Sequence, residues 1–488
     1  MNEKDILRAL GGVDPEFIAD AAPKEKLRHR NPMLFRLIAA LISVAILMGA
    51  LFAAIVVPKI VNEMFVPTPS PYGRYVLSLA KYPEMMQMPK REDYASDDAY
   101  YDAESKWRLA TQTQARLYTD PKEVLPFFTE ASKQILAGSD TENAIYSPLN
   151  VYMAIAMLGE MTAGETQKEI FELMGVDTIE GLRHQASSLW TSIYCDNGSS
   201  KRIVSNSIWL NEKVKFNQTC IDMLADKYYA SSFQGDFESK KYIEKYCQWV
   251  NDSTGNMFGV TPNESLFDEN SLVQVASALY LETLWKSSFA SSNTYNETFH
   301  TANGDVSASF MHSRIDDNLH AAEDFYAVSK SLEVGGKVWF ILPDEDSSVE
   351  EVISDGYFMK YAMGLVGRNC REYKINLSIP KFDIRSEKSV TEDIKKLGVT
   401  EIFESGADFS PISNNSLAVG DIMHSARLKI DEKGVIGGAH ILVHLYGEPY
   451  FPPEEEIDFK LDRPFIFVVT SSAGIPIFVG VVNDPTKN

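Results

Sequence analysis

His440 and His444 stand four residues apart, a spacing that on a helix would put two imidazoles on one face and could hold a transition metal. The residues around them argue for a strand instead. Taking every second residue from Val435 gives Val435, Gly437, Ala439, Ile441, Val443 and Leu445, all small or apolar, while His440, His444 and Tyr446 take alternate positions. One face is therefore suited to burial in a sheet, and the two histidines belong to the exposed side of a loop segment. Gly447, Glu448 and Pro449, then Pro452 and Pro453, stop the strand and hold the chain beyond it in an extended connection. Residues 430–453 thus read as a strand, a hinge and an exposed loop.

The rest of the chain offers little catalytic chemistry. H-E-x-x-H, G-x-S-x-G, the P-loop and G-x-G-x-x-G patterns are all absent. Cys195, Cys220, Cys247 and Cys370 lack C-x-x-C or Cys/His spacing, so neither a zinc site nor a redox pair is indicated. They read as unpaired, buried small hydrophobes. No metal and no cofactor is called for, and an enzyme is not indicated.

Elements able to position the loop occupy the carboxyl-terminal three quarters. Val124, Phe127, Phe128, Ala131 and Ile135 recur at helical spacing and predict an amphipathic helix ending near Gly138. Residues 151–158 are apolar on every side, which predicts a deeply buried helix. Strands are expected at 203–210, 271–281, 337–342 and 373–379, helices at 241–254 and 391–396, and two fully buried strands at 465–470 and 477–482. Strands and helices mixed without strict βαβ alternation indicate an α+β fold.

A formal charge of −22 and a pI near 4.9 argue against nucleic acid as a partner, because phosphate contacts need clustered lysine and arginine. The 45% of hydrophobic residues can fill a large core. Residues 37–57 form an uncharged apolar run of about the 20 residues that cross a bilayer as a helix. Lys24, Lys26, Arg28, Arg30 and Arg36 precede it and only Lys59 comes soon after, which orients the amino terminus to the cytoplasm. The long leader and the length of the run favour an uncleaved signal-anchor over a cleaved signal peptide. The expected organisation is a cytoplasmic leader (1–33), a transmembrane helix (34–57) embedded in the lipid bilayer, a solvated extracytoplasmic linker (58–112) rich in proline and acidic residues, and a domain (113–488).

Several stretches of that domain resemble the serpin family, in the family's order, from about residue 113 to the end. They are NAIYSPLNVYMAIAMLGEMTAGETQKEIFELMGV from Asn143, VQVASALYLETLWKSSF from Val273, VGDIMHSARLKIDEKG from Val419, then FKLDRPFIFVV and PIFVGVVNDP. The resemblance implies a serpin-like fold of three β-sheets and about nine helices, with an exposed reactive-centre loop. It implies a serine-protease inhibitor that is cleaved in the loop and traps its attacker covalently as the loop inserts into the main sheet. The partner is then a target serine protease and the inhibitor a monomer. Glu432, Lys433 and Gly434 match the start of the hinge, with Val435, Gly437, Gly438 and Ala439 as its small-residue run. Ile436 and His440 depart from the usual alanine and threonine but fall on the outward face.

The same resemblance assigns other positions. Ser147, Asn150, Ser277 and His424 match the shutter, where the main sheet opens, and Trp285 the breach at its top. Asn150 stands where the family commonly has serine and Ser277 where it commonly has asparagine, so a side-chain contact between them is expected to preserve a buried hydrogen bond. The cleaved bond lies in Tyr446, Gly447, Glu448, Pro449, Tyr450 and Phe451. Counting forward from Glu432 gives Glu448, with Pro449 unfavourably next; counting backward from Phe459 gives Tyr450, which is preferred; Tyr446 is the third choice. Aromatic residues there suit a chymotrypsin-, elastase- or subtilisin-like protease. A non-inhibitory serpin serving as a cell-surface binding module is the alternative. A cytoplasmic leader, one span and an exported inhibitor suit a bacterium with a single membrane.

Overall fold

The computed structural model describes residues 70–487 except 115–118, 198–200, 264–265, 268–271, 334, 367–370 and 436–454. Ten α-helices occur among them: α1 Asp97–Gln114, α2 Pro121–Ile135, α3 Pro148–Met161, α4 Gly164–Met174, α5 Ile179–Ile193, α6 Gln218–Lys227, α7 Lys240–Ser253, α8 Val349–Asp355, α9 Phe358–Ala362 and α10 Thr391–Lys396. Helix α2 starts where the sequence favours a start. The Asp120 carboxylate caps the Lys122 N–H at 2.9 Å, and Pro121 takes the first turn, where its missing donor is harmless. Helix α3 buries every residue except Ala154, as its all-round apolar pattern predicts. Its one carboxylate, Glu160, is offset by Arg183 through bonds of 2.6 and 2.8 Å and by the Tyr228 hydroxyl at 3.0 Å.

Helix α3 lies behind the main sheet, whose strands run in the order β1 (Val76–Ser78), β5 (Ala230–Gly235), β4 (Lys201–Asn211), β6 (Val273–Leu284), β14 (Gly434–Val435), β13 (Met423–Ile430) and β12 (Phe382–Ser389). The short β3 (Cys195–Asp196) joins β4. The second assembly runs β15 (Glu456–Lys460), β11 (Arg371–Pro380), β8 (Gly304–Ala321), β9 (Phe325–Ser331), β10 (Lys337–Pro343), β16 (Phe465–Thr470), β17 (Pro476–Val482) and β2 (Ala144–Tyr146), with β7 (Thr294–Thr301) on β8. Strand β8 pairs with β7 and β11 along its length and hands only His320 and Ala321 to β9. It therefore belongs to two sheets, which makes three among the described residues. Strands β16 and β17 are buried at every residue, in keeping with their uninterrupted apolar sequences.

The expected solvated linker ends earlier than composition suggests, because the compact unit begins at Tyr72. Strand β1 adds to the edge of β5, pairing Val76 with Phe233 and Ser78 with Ser232. Aromatic residues explain why an acidic, proline-bearing stretch docks. Tyr72 meets Phe233 at 4.9 Å between ring centroids, Tyr75 meets Tyr242 at 5.0 Å, and Tyr82 stacks on Trp190 at 5.3 Å. The acidic cluster then opens α1, where carboxylates at a helix start are favourable, and Lys106–Asp102 and Arg108–Glu104 pairs of 2.7 Å line its surface. Among the described residues no helix is long and apolar enough to cross a membrane; the run at 37–57 lies outside them. Cys195, Cys220 and Cys247 are buried, the last two as free thiols, and Cys370 lies outside the described residues.

Removing one ring from this docked segment tests whether it belongs to the fold. Tyr75→Ala is expected to lower the unfolding free energy by about 1–2 kcal/mol. Urea denaturation monitored by tryptophan fluorescence measures it, and an unchanged midpoint would indicate a free linker.

Candidate functional site

The hinge is built by a tight hairpin. Strand β13 ends at Ile430, and Asp431 begins a turn in which its carboxylate accepts from the Lys433 N–H at 2.9 Å. The Asp431 N–H donates to the Gly434 carbonyl at 3.1 Å, closing the turn. The chain then reverses, so Val435 pairs with Ile430 on one side and with Thr283 of β6 on the other. Both pairings are antiparallel. Glycine at 434 is required by this insertion, since a Cβ there would run into the Thr283 carbonyl and the Leu284 backbone. The opposite face of the pair is apolar, with Val435 fully buried.

Trp285, next after β6, fixes the turn from above. Its backbone N–H donates to the Lys433 carbonyl at 3.0 Å and its indole Nε1–H to the Asp431 carbonyl at 2.9 Å. The Phe289 N–H donates to the Glu432 carbonyl at 3.0 Å, and the Glu432 carboxylate meets Lys381 Nζ at 2.9 Å. Burial alone would raise the Glu432 carboxyl, but the Lys381 ammonium and accepted hydrogen bonds bring it below the ordinary value. Lys330 lies beneath, 4% exposed, with its ammonium 4.5 Å from the Phe289 ring and 5.7 Å from that of Trp285. Its burial pushes that ammonium down to about 8.

At the shutter, Ser147 caps α3, its hydroxyl accepting from the Asn150 N–H at 3.3 Å. The Ser147 N–H donates to His424 Nε2 at 3.0 Å, which requires a neutral imidazole with that nitrogen unprotonated. Burial, assisted by the nearby Lys388 ammonium, pushes His424 down to about 4. Asn150 and Ser277 meet differently from expectation. Asn150 Nδ2 donates to the Ser277 backbone carbonyl at 3.3 Å, while the Ser277 hydroxyl donates to Asn206 Oδ1 at 2.8 Å. The two side chains do not pair because Asn206, on neighbouring β4 and directly opposite Ser277, supplies the nearer acceptor. Asn206 is held in turn by donating to the Tyr228 carbonyl at 2.8 Å. Sequence reasoning missed it; the available signal was one amide within the apolar strand Ile203, Val204, Ile208, Trp209 and Leu210. Of the predicted site residues, the structure places Glu432, Gly434 and Val435 beside Trp285 at the end of β6, and it links Ser147, Asn150, Ser277 and His424 by hydrogen bonds. Gly437, Gly438 and Ala439 and the window Tyr446, Gly447, Glu448, Pro449, Tyr450 and Phe451 lie outside the described residues.

This geometry seats a two-residue strand, β14, between β6 and β13. The sequence profile of the family described as Serpin (serine protease inhibitor) matches residues 125–485, and the chain belongs to that family. Its class is thus that of protease inhibitors and not of enzymes. Serpin-ZX of Arabidopsis thaliana is 27% identical over 376 residues, covering 73% of this chain and 95% of its own. The crystal structure of tengpin, a thermophilic serpin in the native state, is 25% identical with a TM-score of 0.65, covering 75% of this chain and 95% of that one. Arabidopsis AtSerpin1, in a native stressed conformation, shares the fold at 24% identity and TM-score 0.64, covering 77% and 99%.

His424 makes the shutter sensitive to acid. The unfolded imidazole has its ordinary value near 6.5 while the folded one lies near 4. Between those values the unfolded chain binds the extra proton, so stability falls as pH is lowered through the window, by up to about 3 kcal/mol. Thermal melts from pH 7 to pH 4 are expected to show this drop, and His424→Gln to flatten it. An identical profile in the variant would locate the acid sensitivity elsewhere.

Proposed function

We propose that this protein inhibits an extracytoplasmic serine protease by covalent trapping. The observation that carries the reading is β14. Its two residues are hydrogen-bonded between β6 and β13, antiparallel to both, so a chain continuing in the same direction beyond Val435 adds a central strand to the main sheet. In the trapping reaction the protease's serine Oγ attacks the loop carbonyl before the scissile bond. The amine of the next residue leaves, and the ester links enzyme to inhibitor while the freed loop is drawn into the sheet. Tyr450–Phe451 is the preferred bond within the window 446–451, which suits a chymotrypsin-, elastase- or subtilisin-like target. The inhibitor acts as a monomer. Residues 34–57 anchor it in the cell membrane as a single pass, with the amino terminus cytoplasmic and the inhibitory domain outside.

The departures Ile436, Gly437 and Gly438, together with Pro449 at one counted cleavage position, favour a second reading, a non-inhibitory cell-surface binding module. Incubation with chymotrypsin, elastase and subtilisin separates the two. Trapping gives a band at the summed mass that survives denaturation, a carboxyl fragment cut within 446–451, and a cleaved protein that melts above the intact one. Ala439→Glu, on the same alternation of small residues as Val435 but beyond the part already seated in the sheet, would bury a charge on insertion and is expected to convert about tenfold more of the protein to free cleaved product. Clean cleavage without a complex or gain in heat stability would support the binding module.

A further inference from the structure

Met85, Met86 and Met88 put three of the chain's 17 methionines into four residues, in the docked stretch between β1 and α1. Met85 turns its thioether toward the domain. Its Sδ accepts from the Asp196 N–H at 3.0 Å, and its half-buried side chain packs against the core. Two further bonds run to the same short piece of chain: the Gln87 side-chain amide donates to the Asp196 carbonyl at 2.9 Å, and the Met88 N–H to the Asn197 carbonyl at 2.7 Å. Asn197, only 1% exposed, donates in turn from Nδ2 to the Thr111 hydroxyl of α1 at 3.4 Å. Residues 85–88 and α1 thus both meet the domain at Asp196 and Asn197. A thioether is a weak acceptor, and one that chemistry can change in place. Among the described residues Met86 and Met423 are exposed, at 52% and 55%, while Met153, Met157 and Met311 are fully buried. Met85 lies between these extremes, within reach of a small oxidant and engaged in a bond that oxidation would disturb.

We propose that Met85 is an oxidation site whose sulfoxide unfastens residues 84–114 from the domain. The co-reactant is a peroxide. A sulfur lone pair takes one oxygen atom, the O–O bond breaks, and hydrogen peroxide leaves as water, so that the sulfur is oxidised by two electrons and the peroxide reduced by two. Whichever lone pair takes the oxygen, the sulfur becomes electron-poor and stops accepting from the Asp196 N–H. The polar S–O group is then drawn from the half-buried face to water. With the side chain withdrawn, the Gln87 and Met88 bonds lose their alignment and the Asn197–Thr111 contact loses its support. This stretch precedes the residues matched by the family profile, so the proposal is independent of whether the loop traps a protease.

The test uses the full chain in lipid nanodiscs, treated with hydrogen peroxide. Peptide mass mapping reads which methionines are oxidised, and hydrogen–deuterium exchange reads the backbone of residues 84–114. Exchange there is expected to rise about tenfold as Met85 gains one oxygen, with the main sheet unchanged, and to fall back after methionine sulfoxide reductases and a thiol are added. Met85→Leu is expected to remove the response, whereas the double variant Met86→Leu/Met423→Leu, which leaves Met85 in place, is expected to keep it. Exchange in untreated Met85→Leu establishes that the segment is docked before peroxide is added; if it is not, the double variant decides. Met85 left unoxidised once Met86 and Met423 are fully converted, unaltered exchange in chains that carry the Met85 sulfoxide, the same rise in docked Met85→Leu, or loss of the response in the double variant would each overturn the proposal.

Discussion

The structure depends on a backbone ladder shared three ways. Strands β6 and β13 are joined in the main sheet through β14, and β14 is two residues long. Each of its hydrogen bonds is worth about 0.5–1.5 kcal/mol net, so the ladder alone would grip the hinge weakly. Trp285 strengthens the hold with two donors aimed at the Asp431 and Lys433 carbonyls of the one turn, and Phe289 and Lys381 add a third donor and an ion pair. The hinge is therefore seated by groups that recognise main chain more than side chain. Such a seat places few demands on the side chains of the residues it holds.

The same region concentrates polar groups in surroundings of low dielectric. His424 is kept neutral by burial and by its acceptor role, and Lys330 lies between aromatic rings with its ammonium disfavoured. Polar contacts between α3, β6 and β4 are hydrogen bonds that can be broken and remade. A seam packed only with large apolar side chains would leave a cavity on opening. Asn150, Ser277 and Asn206 obey this logic, linking α3 to β6 and β6 to β4 through an amide, a backbone carbonyl and a hydroxyl.

Much of this was legible in the residues. The spacing of Val124, Phe127, Phe128, Ala131 and Ile135 located α2, and the unbroken apolar runs located α3, β16 and β17, because burial leaves a direct imprint on composition. Residues 72–114 misled because proline and acidic content dominate an average, while docking rests on Tyr72, Tyr75 and Tyr82, single side chains whose partners are more than a hundred residues away. The shutter residues were named from resemblance, but their bonding was not readable. Whether Asn150 meets a hydroxyl or a carbonyl depends on a strand register that places Asn206 opposite Ser277, and register is a tertiary property. Lys330 carried no signal, since a lysine in a β pattern reads as exposed.

Strand β1 spans three residues against the six of β5, and its register shifts between Val76 and Ser78. An irregular, stunted strand makes a poor template for pairing with a neighbouring molecule. A sheet edge left open is a template for strands from other copies. On this flank the three residues of β1 blunt the edge, so a second copy of the chain meets little straight backbone with which to pair.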